Sequence, residues 1–288
     1  MFCESVFQEL DGAYAPNTLT GYRKDLTRFC NWILMQNLNP AQITHTELII
    51  YLETACECLK MATIRRAVAA ISTIYKYAEL PDPTKHPKVE LTLRRLARQR
   101  GNHQSQAKPL THVLLSQLLA LCDPMTTIGL RNQVLLLLGH ETMRRRSELV
   151  SFRFDDLRQS ASGHMGIFLR DSKTDQTGHG RVIPISSQLA NLVESWRTHA
   201  GDGFILRGIR KGGDINESMA PESINRILKR LESQLGRKQH ALSGHSFRVG
   251  KTIDMIENGF TLEQIALAGG WNSTKIVFRY AQSWTQTR

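Results

Sequence analysis

Ser243-Gly-His245-Ser-Phe-Arg248-Val-Gly250, followed by Gly269-Gly-Trp271 and then Tyr280, is the stretch on which the reading of this chain turns. His245 and Arg248 stand three residues apart, one helical turn, so both can face one point near a helix start. A tryptophan follows 23 residues after Arg248 and a tyrosine nine residues after that. Each piece alone has an ordinary reading: a capped helix with an exposed arginine, a tryptophan anchoring a loop, a tyrosine packed with Ile276 and Val277. Together they offer two phosphate ligands, a further N–H donor and a nucleophile. Converged in space, they could attack a phosphodiester.

The chemistry explains the residue types. A side-chain nucleophile passes through five-coordinate phosphorus, and preorganised donors to the non-bridging oxygens lower that barrier. Arginine suits the task because its planar fork grips two oxygens and keeps its charge. The departing oxygen needs a proton from a positioned acid, and Ser, Cys or Tyr can attack. A metal-dependent nuclease would need clustered carboxylates, and none stand near these basic residues. Upstream, Thr142-Met-Arg-Arg145-Arg-Ser-Glu148-Leu-Val follows a leucine run. Three consecutive arginines cannot share one face, so one is expected to turn inward and the others to lie in solvent or on a polyanion. Glu148, three residues after Arg145, could orient an inward guanidinium. Lys173 sits in a polar loop, as a surface lysine or as a proton donor carried into a groove.

Composition narrows the partner. The 288 residues carry 37 Lys+Arg against 26 Asp+Glu, a formal net charge of +11, which favours nucleic acid over an anionic membrane. No apolar run, Val134 to Leu138 included, approaches the roughly 20 residues that span a bilayer. No basic segment precedes an apolar one at the N-terminus, so a cytoplasmic protein is expected. Five scattered cysteines (Cys3, Cys30, Cys56, Cys58, Cys122) read as reduced structural thiols, with no zinc spacing.

Periodicity gives the organisation. Leu19, Tyr22, Leu26, Phe29 and Ile33 recur at helical spacing, with Asn17 or Thr18 as cap after Pro16. Thr44 or Thr46 can start a second helix through Leu48 and Leu52. A third carries Ile64, Val68, Ile71 and Tyr75, with Arg65 and Arg66 off that face. A basic helix around Val89, Leu93 and Leu96 follows the breaker Leu80-Pro-Asp-Pro. Gln99 to Pro109 is polar and aperiodic and reads as an interdomain linker. Beyond it, Thr111 caps a helix to about Cys122, and another runs from about Thr127 to Thr142. Phe152-Arg-Phe-Asp, Met165 to Arg170 and Arg181 to Ile185 read as strands, the last two joined by the loop holding Lys173. Five further helices are expected near 187–199, 222–235, 246–258, 261–268 and 273–283. The fold class is thus mainly α with a small antiparallel sheet, in two domains: residues 1–104, helical, and 105–288, mixed.

In order and spacing these segments resemble the tyrosine recombinases, the phage integrase family. Ser243 to Gly250 resembles its His-x-x-Arg motif, and Ala268 to Tyr280 its nucleophile segment. The resemblance extends weakly over the helical first half. It implies a core-binding, SAM-like N-terminal domain and a catalytic domain that together form a C-shaped clamp around DNA. It implies that Arg145 and Arg248 bind the scissile phosphate, that His245 and Trp271 add hydrogen bonds to it, and that Lys173 protonates the leaving 5′ oxygen. Tyr280 would become a 3′-phosphotyrosine, with Glu148 supporting the basic residues and neither metal nor other cofactor taking part. Two departures stand out. The family commonly has Gly and small apolar residues around its first arginine, as in Thr-Gly-Leu-Arg-Ile, where this chain has Met143, Arg144 and Arg146. Eight residues follow Tyr280, where relatives usually carry a further short helix that docks on a neighbouring subunit.

The expected partner is a double-stranded DNA recombination site, bound by a dimer and joined to a second site in a tetramer, with no membrane and no small-molecule substrate. The expected location is the cytoplasm, on the nucleoid, with phage or plasmid origin fitting. Arg65, Arg66 and Arg226 are the candidates for the major groove, reading bases or neutralising phosphates. Arg226 stands off the apolar face of Ile224, Ile227, Leu228 and Leu231. Two other readings use the same residues: a topoisomerase-like or telomere-resolving strand transferase, and a DNA-binding protein without catalysis.

Overall fold

The computed structural model describes residues 4–101, 107–170, 180–236 and 241–285, apart from the side chains of 283–285. Two compact units divide the chain, Met1–Ser105 and Gln106–Arg288. Thirteen α-helices and three strands are formed among the described residues.

The first unit holds α1 (Glu4–Leu10), α2 (Pro16–Met35), α3 (His45–Glu53), α4 (Met61–Tyr77) and α5 (Pro87–Arg100). Its core takes the expected helical stripes: Leu19, Leu26, Phe29 and Ile33 from α2, Leu48, Tyr51 and Leu52 from α3, Ile64, Ile71, Ile74 and Tyr75 from α4. Each fully buried aliphatic contributes about 1.5–3 kcal/mol. The α2 cap differs from the sequence reading. Pro16 occupies the first turn after Ala15, and no side chain caps the end, because proline's fixed φ starts the helix without one. Thr44 does start α3, its backbone N and Oγ donating to the Glu47 carboxylate at 2.6 and 2.8 Å. The linker starts later than the polar run suggested. Gln99 and Arg100 belong to α5, and Arg100 Nη1 donates to the Cys56 carbonyl at 2.8 Å.

The second unit holds α6 (His112–Ala120), α7 (Thr127–Thr142) and α8 (Arg146–Ser151). Then come β1 (Leu157–Gln159), β2 (Met165–Leu169) and β3 (Arg181–Pro184), and α9 (Ser187–Ala200), α10 (Pro221–Gln234), α11 (Gly244–Glu257), α12 (Leu262–Gly269) and α13 (Lys275–Thr285). The sheet is antiparallel in the order β1-β2-β3, with Ile167 opposite Leu157 and Ile183. α7 is buried nearly all round, and Val134 to Leu138 form the centre of the larger core with Trp196, Phe152, Phe154 and Phe247. Phe152-Arg-Phe-Asp does not join the sheet. Arg153 bridges Phe204, and residues 154–156 turn through a short 3-10 helix. The buried Asp156 carboxylate fixes that turn by accepting from Arg153 N at 2.8 Å and Arg170 Nε at 2.7 Å.

α6 is capped from outside itself. Thr111 gives no side-chain cap. The Asp254 carboxylate of α11 accepts from His112 N at 2.9 Å and lies 2.8 Å from His140 Nε2. Leu110 N donates to Ser246 O at 3.0 Å. Residues 246, 250 and 254 therefore form one stripe of α11 against which the chain enters the unit.

Candidate active site

α7 ends at Met143, which adopts left-handed backbone (φ 55°, ψ 31°) while 1% exposed. This conformation costs a non-glycine residue on the order of 1–2 kcal/mol. The turn it makes separates the next two arginines. Arg144 is 2% exposed and donates from Nε to Thr142 O at 2.6 Å and from Nη2 to Ala268 O at 2.5 Å. Arg145 precedes α8 and pairs with the buried Glu148. The carboxylate accepts from Arg145 N at 2.9 Å and from Nη1 at 2.7 Å. The inward arginine of the triplet is thus Arg144, while the one Glu148 orients is Arg145. Burial, then Arg181 and Arg248, push Arg144 down to about 9, with Glu148 opposing.

α11 carries His245 in its first turn and Arg248 one turn on. Arg248 is 1% exposed; Nη1 donates to Met143 O at 2.6 Å and Nη2 to Gly269 O at 3.1 Å. Its guanidinium lies 4.5 Å from the centre of the Trp271 ring, a cation–π contact worth about 2 kcal/mol when desolvated. Burial and the neighbouring Arg145 lower it to about 10. Trp271 follows the C-terminal turn of α12. A side chain on Gly269 would meet its ring at 2.1 Å, so this close approach requires glycine. Trp271 also meets Tyr280 edge-on, with centroids 5.8 Å apart.

Tyr280, from α13, is 5% exposed, and its Oη lies 2.6 Å from His245 Nε2. Burial raises the phenol above its ordinary value, against Arg248, Arg279 and Arg145. Burial, Arg248 and Arg145 lower His245. A neutral imidazole therefore faces a protonated phenol, and Nε2 can accept its proton. His245, expected as a ligand of the phosphate, contacts the nucleophile candidate directly.

A chain of contacts thus runs from His245 to Tyr280, on to Trp271 and on to Arg248, and Arg145 lies near enough to act on His245, Arg248 and Tyr280. Lys173 falls outside the described residues. Among the described residues no group of three or more His, Cys, Asp or Glu side chains could hold a metal ion. Two residues that the sequence reading missed also belong here. Arg144 was visible as a departure from the family pattern, whereas nothing marked Arg181, which opens β3 and donates to Leu267 O at 2.9 Å.

The DNA candidates are placed differently from one another. Arg65 is exposed and shares a groove with Arg94 and Arg98 of α5. Arg66 grips the buried Asp25 with Nε at 2.7 Å and Nη2 at 3.1 Å, which commits its fork to holding α4 on α2. Arg226 is exposed on α10, its Nη2 donating to Ser223 Oγ at 2.8 Å.

A helical fold with a small antiparallel sheet, and a pocket joining two arginines, a histidine, a tryptophan and a tyrosine, define a class: the tyrosine recombinases, enzymes of site-specific DNA recombination. The sequence pattern of the phage integrase family matches residues 108–287, and that of the phage integrase N-terminal SAM-like domain matches residues 7–80. The chain belongs to the phage integrase family. It is 27% identical to an integrase/recombinase xerD homolog of Selenomonas ruminantium, over 96% of this chain and 84% of that one. To the recombinase cre of Escherichia phage P1 it is 24% identical, over 82% and 74%. Its fold matches that of the XerH site-specific recombinase bound to a palindromic difH substrate, with a TM-score of 0.72 at 15% identity over 99% and 81% of the two chains.

Proposed function

We propose that this recombinase cuts one DNA strand at a time with Tyr280 and rejoins it to a new partner. Tyr280 Oη attacks the phosphorus while its proton passes to His245 Nε2. The bond from phosphorus to the 5′ oxygen breaks, and that oxygen takes a proton from Lys173. Arg145 and Arg248 hold the non-bridging oxygens as charge builds there. Glu148 fixes the Arg145 guanidinium, and Trp271 packs against Arg248 and Tyr280. The 3′-phosphotyrosine keeps the ester bond, so an incoming 5′ hydroxyl can reverse the step without ATP or metal. The observation that carries this reading is the 2.6 Å approach of His245 to Tyr280 beside Arg248.

The DNA is a double-stranded recombination site in the cytoplasm, contacted by Arg65 and by Arg226. Lambda integrase has been solved as a dimer on a core site and as a tetramer on a Holliday junction. The same assembly, two subunits per site and four in synapsis, is proposed for this chain.

A duplex nicked beside the cleavage point traps the covalent state, because the short leaving strand diffuses away. Wild-type protein is expected to form an adduct in the presence of EDTA, and Tyr280→Phe none. An adduct that EDTA abolishes, or that Tyr280→Phe still forms, would contradict the mechanism. Strand exchange between two duplexes separates a recombinase from an enzyme that only relaxes supercoils.

A further inference from the structure

We propose that Arg144 is a positioning residue for Trp271, acting through the end of α12; this rests on the pocket around Tyr280 being the cleavage site. An α-helix leaves its last four carbonyls without intrahelical partners, and here each has one. Trp271 N donates to Ala266 O at 2.9 Å, and Gly270 N to Leu267 O at 3.1 Å. The remaining two fall to arginines. Ala268 O accepts from Arg144 Nη2 at 2.5 Å and from Arg181 Nη2 at 3.2 Å. Gly269 O accepts from Arg248 Nη2 at 3.1 Å. Three guanidinium groups thus meet the negative end of the helix dipole, one residue before the turn that places the indole.

Arg144 couples that turn to the one bearing Arg145. Its Nε is fixed to Thr142 O, on the near side of the strained Met143, and its Nη2 to Ala268 O, on the far element. Arg248 spans the same gap from Met143 O to Gly269 O. Arg145 and Trp271 therefore sit on two turns bolted together by carbonyl contacts, with Arg248 reaching both from α11. An apolar residue at position 144 could not make them. Gly270 leaves room for the clamp: with φ 66°, a Cβ there would lie 2.8 Å from Arg144 Nη1 and 2.9 Å from Arg181 Nη2.

A cage of arginines could also be scaffolding alone, so the test must read the indole. Arg144→Met keeps the volume and removes the donors. Single-turnover cleavage of the nicked duplex, read at saturating protein, is expected to slow by roughly 10- to 100-fold. The double variant Arg144→Met/Trp271→Phe should be no slower than the slower single variant, because both lose the same contact. In ¹⁵N–¹H spectra the Trp271 indole resonance, assigned with Trp271→Phe, should shift in Arg144→Met. It should also shift in Arg144→Lys, which keeps the charge but cannot bridge both carbonyls. If Arg144→Met does not fold, Gly270→Ala strikes the clamp from the other side and should displace the same signal. Unchanged cleavage, effects that multiply in the double variant, or an unmoved indole resonance would each overturn the proposal. A wild-type protein that forms no adduct would overturn the cleavage reading alone, and the indole resonance would still decide the role of Arg144.

Discussion

His245 carries the pH dependence of the site. Its imidazole is lowered by burial, Arg248 and Arg145, so it is neutral where an ordinary histidine begins to charge near pH 6.5. Tyr280 is raised by burial and stays protonated at neutral pH, so attack requires a base. Cleavage should therefore hold its rate as pH falls to about 6.5 and decline only below it. The linked stability has the same sign. The unfolded chain binds the proton more readily, so the contribution is full above about 6.5 and is lost as pH falls through the lower folded value. Single-turnover rates across this range would check it; an acid limb centred above pH 7 would show that His245 is not the base. The pairing of His245 with Arg248 was readable because an i,i+3 relation is local. The division of labour between Arg144 and Arg145 was not. The carbonyl that draws Arg144 inward lies 124 residues downstream, and a run of three arginines holds no trace of it.

α11 shows how an element is held as well as what it holds. One side presents His245 and Arg248 to the pocket. Another, at Ser246, Gly250 and Asp254, receives residues 110 to 112. Replacing glycine by alanine inside a helix ordinarily stabilises it by about 0.5–1 kcal/mol. Here a Cβ on Gly250 would lie 1.9 Å from the Leu110 carbonyl oxygen, and backbone cannot step aside as a flexible side chain would. Gly250→Ala should instead destabilise the unit by about 1–3 kcal/mol, read by denaturant unfolding. Asp254→Asn should cost about 1–3 kcal/mol through the lost charge on His112 N and His140. A Gly250→Ala variant as stable as wild type would deny the contact. Helix faces were legible at this scale because burial repeats at 3.6 residues: Leu19, Leu26 and Ile33, or Ile64, Ile71 and Tyr75. Strand reading failed at Phe152 and Phe154. Both are buried with period two, yet the capped turn at Asp156 ends the run. The caps of α2 and α6 failed for a related reason, since a proline and a carboxylate from another helix do the work expected of local side chains.

Charge belongs to the whole molecule, and it is uneven. Residues 1–105 hold 13 Lys+Arg against 10 Asp+Glu, a net +3; residues 106–288 hold 24 against 16, a net +8. Within the second unit, Arg144, Arg145, Arg181 and Arg248 gather around a pocket with the Glu148 carboxylate among them. A bound phosphate would relieve their mutual repulsion. DNA affinity should fall steeply with salt, because every phosphate neutralised releases a counterion. Arg226 is a distinct case. Ile224, Leu228 and Leu231 bury the opposite face of α10, leaving Arg226, Lys229 and Arg230 exposed. A lysine or arginine on phosphate contributes about one unit to the salt slope, whereas one that reads a base edge contributes sequence preference. Selection of bound duplexes from a random pool, repeated with Arg226→Ala, separates the two. Preference is expected to relax at one position of the site, by about 1–3 kcal/mol, with the salt slope kept. A uniform loss across all sequences, with a slope shallower by about one, would instead place Arg226 on the phosphate backbone.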